Sequence, residues 1–104
     1  MDNRPWSEIY AEAGDDWADK EAAASLLEDC KSAYMAELCI GQGDIPVNRA
    51  EMNVKASRKW REYIENMVEA RKQANKARVY LESIKMRAME QHSKEATFRA
   101  EARL

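Results

Sequence analysis

No glycine or proline follows Pro46 in this chain, so the 58 residues from Val47 to Leu104 contain none of the residues that ordinarily end a helix. Within that stretch Ala56, Trp60, Tyr63, Met67, Ala70, Ala74, Ala77, Leu81, Ile84 and Ala88 recur at alternating steps of four and three. That stepping is the a/d seam of a coiled coil, and it can be buried only against another helix. The centre of the seam, Ala70, Ala74 and Ala77, is small, so the facing helix can come close there. A long third helix over about 49–100 is the expectation, opened by Asn48 with Glu51 three residues on, in the manner of a capping box.

The facing helix has to come from the first half of the chain. Trp6, Ile9, Tyr10 and Ala13 follow Pro5 at helical spacing, and Gly14 reads as a stop, which predicts a short helix over about 5–13. Asp15 or Asp16 then caps a second helix reaching about residue 40, with Ala23, Leu26, Leu27, Cys30, Ala33, Tyr34 and Leu38 as its apolar stripe. Residues 41–47, Gly-Gln-Gly-Asp-Ile-Pro-Val, form the hinge. The fold class that follows is all-α. One domain over 1–104 is expected, an antiparallel helical hairpin with a long coiled-coil-like C-terminal helix and a short N-terminal helix.

Charge supports the hairpin. Residues 1–48 carry 11 acidic against 3 basic side chains, and residues 49–104 carry 8 against 14. Folding at the hinge brings Asp15, Asp16, Asp19 and Glu21 beside Arg71, Lys72, Lys76 and Arg78, so opposite charges meet. The short helix then covers Leu81 and Ile84 in part. Nothing obvious covers Ala88, Met89 and Phe98, so Leu81, Ile84, Ala88, Met89 and Phe98 are the expected self-association interface, with a dimer favoured. The basic run has a second reading. Arg71, Lys72, Lys76 and Arg78 stand in a stretch with no acidic residue between Glu69 and Glu82, a pattern suited to holding nucleic-acid phosphates.

Catalytic patterns are sparse. His92 is the one histidine, and Glu95 one turn on would give at most two metal ligands, too few for a helical-bundle site. The carboxylates fall on outward faces among lysines and arginines. No catalytic residue, metal or cofactor is expected. Cys30 and Cys39 sit nine residues apart on one predicted helix, about 13 Å and beyond disulfide reach, and read as reduced core thiols. With no apolar run of membrane-spanning length and no secretory start, the expected location is the cytoplasm.

The closing run Tyr80-Leu81-Glu82-Ser83-Ile84-Lys85-Met86, followed by Lys94-Glu95-Ala96-Thr97-Phe98-Arg99-Ala100-Glu101, resembles the tails of small helical proteins encoded by bacteriophages and prophages. The resemblance covers about the last 50 residues and carries no catalytic motif. It implies a bacterial cytoplasm and a phage-encoded accessory factor. The function expected is therefore a non-enzymatic helical interaction or assembly protein that binds itself and one protein partner; the alternative is a nucleic-acid-binding accessory protein using the basic face of the long helix.

Overall fold

The computed structural model describes residues 3–103, which form four helices: α1 (Trp6–Asp29), α2 (Lys31–Ile40), α3 (Val47–Lys55) and α4 (Arg58–Ala102). The chain runs out along α1 and α2, reverses through residues 41–46, and returns along α3 and α4. α1 packs against α4, and α2 against α3, so the fold is an all-α hairpin. It is a rod of 83 × 20 × 19 Å, and α4, about 67 Å long at 1.5 Å per residue, supplies most of its length.

Gly14 does not stop the first helix. α1 starts behind Pro5, whose carbonyl accepts the N–H of Glu8 at 3.0 Å, and passes through Gly14 without interruption. Packing overrides the local preference: an internal glycine costs about 1 kcal/mol, and α1 recovers more by lying along α4. A Cβ at residue 14 would meet Leu81 Cδ1 at 4.0 Å, an ordinary contact. Gly14→Ala is therefore expected to raise stability by about 0.5–1 kcal/mol, read as a higher midpoint in urea with an unchanged slope. An unchanged or lower midpoint would mean that the glycine serves the packing.

Because α1 is unbroken, its buried row begins earlier than the expected stripe and is set one position away from it. Ile9, Ala13, Trp17, Lys20, Ala24 and Leu27 face inward, whereas Ala23, Cys30 and Ala33 are exposed and Leu26 is 64% exposed. Cys30 is thus a surface thiol and Cys39 a half-buried one, not core residues. Lys20 belongs to the row because its stem lies along the helix while its ammonium reaches Asp16 at 3.0 Å.

The long third helix is in fact two. It starts at Val47 behind Pro46, with no side-chain cap from Asn48, and breaks after Lys55. Ser57 takes an extended conformation and its hydroxyl accepts the N–H of Trp60 at 3.2 Å, capping α4. The hinge lies where the sequence places it, with Gly43 in the left-handed region at φ 87° and the Asn53 amide donating to Gln42 at 3.4 Å.

The outgoing arm also breaks, at Cys30, level with the break at Ser57. A stack of rings fills the joint. Tyr34 of α2 lies over Tyr63 with ring centroids 4.6 Å apart, and Trp60 lies 5.9 Å from Tyr63 and 6.4 Å from Tyr34. The Tyr63 hydroxyl donates to the Leu27 carbonyl, in the last turn of α1 where carbonyls lose their intrahelical partners. Desolvation pushes the Tyr63 hydroxyl pKa up, with the neighbouring Cys30 and Tyr34 adding to the shift.

Among the described residues the buried side chains are Ala13, Ala24, Ala50, Val54, Ala74, Ala77 and Ile84. Five of these are alanines, so α1 and α4 meet through small residues, as the centre of the predicted seam requires. Trp60, Tyr63, Met67, Ala70, Leu81 and Ala88 flank them half-buried. Ala56, the first predicted seam position, is exposed because it falls in the break.

Candidate functional site

The expected meeting of acidic and basic arms occurs at one arginine. The Arg71 guanidinium donates from Nε and Nη2 to the two oxygens of Glu28 at 2.9 and 2.6 Å, and from Nη1 to Glu21 at 2.6 Å. This fork fixes the register of α1 on α4 across the hairpin, using the planar five-donor geometry that lysine lacks. The hydrogen bonds from Arg71, opposed by partial desolvation and helped by its charge, hold the Glu28 carboxyl below its ordinary value of 4.5. Arg71 itself is raised above its already high range, first by Glu28 and then by Glu21.

The pH consequence has a definite sign. A carboxylate with a depressed folded-state pKa stabilises the fold above the unfolded value and loses that contribution as the pH falls through the folded one. The pair should therefore contribute fully above pH 4.5 and fade below it. Glu28→Gln should flatten the acid limb of a midpoint-versus-pH curve while leaving its neutral part lower than wild type; an acid limb of unchanged steepness would remove Glu28 as its source.

The rest of the basic run is not neutralised in this way. Lys72, Lys76 and Arg78 are exposed, and no ion pair joins them to a described residue. Asp16 is taken by Lys20, Asp15 is exposed, and Asp19 is exposed at the edge of a groove with Ala13 and Tyr80. Of the four basic residues singled out by sequence, Arg71 is committed to the hairpin and the other three remain on the surface. Lys72 and Lys76 flank a shallow outward groove on α4 with Val68, Asn75 and Val79.

The expected self-association interface divides as well. Ile84 is 1% exposed and Leu81 half-buried, opposite Gly14, so both belong to the intramolecular seam. An α1 that continues through Gly14 reaches far enough to cover them. Its first turns go further, and Trp6 and Tyr10 share a groove with Ala88, Met89 and His92. Met89 remains 61% and Phe98 72% exposed, and the groove beside Phe98 is lined only by Gln91, Lys94, Glu95 and Arg99 of its own helix. Beyond Gln91 every described residue of α4 is exposed.

His92 lines the groove beside Trp6 and Tyr10 and Glu95 lies on the projecting end, and among the described residues no three His, Cys, Asp or Glu side chains come together as a metal-binding set. No helix of the described chain is long and apolar enough to cross a membrane. No family model, curated protein or solved structure matches this chain. The surfaces themselves carry the functional argument.

Proposed function

We propose that the protein is a non-enzymatic helical assembly module that associates with itself, first as a dimer, through the projecting part of α4. The observation that carries this reading is the apolar surface left by the hairpin. Its core is mostly alanine with one isoleucine and one valine, while Met86, Met89 and Phe98 stand exposed on the distal part of α4. Two packed helices bury little area for their length, and exposed apolar side chains on a projecting helix are what bundles and coiled coils cover on association. Ala88, Met89 and Phe98 are the contact residues. The likeness of the closing run to phage proteins adds to the proposal a bacterial cytoplasm and an accessory role, with one further protein partner.

Sedimentation velocity from one to a hundred times the lowest detectable concentration tests it. A mass that rises to at least twice the chain's 12.0 kDa, and rises less steeply with concentration in a Met89→Glu, Phe98→Glu variant of unchanged helicity, is expected. A monomer throughout would overturn the reading.

A second reading is favoured by a separate observation, the surface position of Lys72, Lys76 and Arg78 with no intramolecular carboxylate. These residues would hold phosphates of a nucleic acid, and fluorescence anisotropy of labelled single- and double-stranded DNA at low and physiological salt tests it. Binding that weakens steeply with salt and is lost on Lys72→Glu, Lys76→Glu supports this reading; no binding at either salt removes it.

A further inference from the structure

The outward face of α4 and the outward face of α1 carry matching rows. On α4 the row is Val68-Lys72-Lys76-Val79, and on α1 it is Ala11-Asp15-Asp19-Ala22; both step by four, four and three residues. Each places two like charges one helical turn apart between two apolar residues, and the charges are opposite in the two rows. All eight residues are exposed, and Lys72, Lys76, Asp15 and Asp19 have no ion pair with any described residue.

The two rows of one molecule cannot meet. α1 and α4 contact each other through the seam containing Ala13, Ala24, Ala74 and Ala77, and helical spacing turns both rows outward from it, with Asp19 at the edge of the groove it shares with Ala13 and Tyr80. A row on α4 can therefore be covered by the matching row only if that row belongs to another chain. Shape agrees with charge: the valines of α4 stand out at 58% and 59% exposure, and the alanines opposite them leave room for close approach. The wider charge balance points the same way, since α1 carries eight acidic residues against the single Lys20.

We infer that the Val68-Lys72-Lys76-Val79 face of α4 docks the Ala11-Asp15-Asp19-Ala22 face of α1 of a second copy of this chain. The contact joins different surfaces on the two molecules, so it is heterologous, and every added molecule presents a free row of each kind. Hairpins stack side by side and the assembly grows beyond a dimer, as a closed ring or an open array. This lateral contact uses none of the residues of the distal interface and stands independently of it. It also weakens with added salt, because four solvent-facing charges set its register.

Charge exchange tests the inference. One variant is Lys72→Glu, Lys76→Glu, the other Asp15→Lys, Asp19→Lys, and both are made in the Met89→Glu, Phe98→Glu background so that only the lateral contact remains. The background protein should still associate in a concentration-dependent way by sedimentation velocity. Each charge variant alone should associate about tenfold more weakly or worse, with unchanged helicity. Mixing the two should restore association, because each then offers the row the other lacks.

Failure of the mixture to recover, or charge variants that associate as well as their parent, overturns the lateral contact. A background protein that stays monomeric at every concentration also overturns it, while leaving the distal dimer to be judged by its own experiment. If the Lys72→Glu, Lys76→Glu variant instead loses DNA binding while its mass distribution matches that of its parent, the basic row serves nucleic acid and the inference falls.

Discussion

Ala74→Leu is expected to lower the thermal midpoint by roughly 10 °C or more, a loss of about 2–3 kcal/mol. Ala74 is 0% exposed, in the part of α4 where the seam is built from alanine on both helices. A leucine there has no void to enter. It must push α1 away from α4, and that separation pulls on the Arg71 fork to Glu21 and Glu28 nearby. The same leucine at the exposed position Ala23 should leave the midpoint within about 0.5 kcal/mol of wild type, since surface changes of this kind are nearly neutral. Thermal melts followed by circular dichroism compare the pair. Equal midpoints would mean that the helices do not meet through residue 74.

Ile84→Ala should cost about 2–5 kcal/mol, the range for removing a fully buried aliphatic side chain. Among the described residues Ile84 is the largest of the side chains almost wholly excluded from water. Its position decides between two roles that differ in their concentration dependence. As part of the intramolecular seam it supports the single chain, and the loss appears at every protein concentration. As part of an interface between copies it would matter only where copies associate, and the variant's midpoint would converge on that of wild type on dilution. Urea titrations at two widely separated concentrations distinguish these outcomes, and the burial of Ile84 beside α1 predicts the first.

Much of the long helix was legible in the sequence. The alternating steps from Trp60 to Ala88 describe its buried side because nothing along that row interrupts them, and the alanines at its centre foretell a close partner. The facing row on α1 follows the same stepping but is disguised by Lys20, a charged residue whose stem packs while its head reaches water. Gly14 hid it further, because a glycine between two apolar runs carries the ordinary signature of a helix end. What keeps the helix going is the packing of α1 along α4, where Gly14 lies opposite Leu81, 67 positions later, which no local pattern contains.

The joint was hidden for the opposite reason. Ala56 and Lys55 are good helix formers, and the only mark of the break is Ser57, whose hydroxyl donates to the Val54 carbonyl and accepts the N–H of Trp60. Of the surfaces, the outward lysines were visible as a charge run. That the hairpin engages Arg71 and leaves its neighbours unpaired depends on which side of α4 each one faces. A count of opposite charges on two arms predicts attraction between the arms; it does not say which charges are consumed.

The paired breaks at Cys30 and Ser57 divide the rod into a shaft and a knuckle-jointed tip. The α2–α3 tip meets the shaft through Tyr34 stacked on Trp60 and Tyr63, and the Tyr63 hydroxyl on the Leu27 carbonyl ties the same rings to the end of α1. Trp60 sits in that stack, so in a chain whose Trp6 and Trp17 are replaced by phenylalanine its fluorescence reports on the packing of the joint.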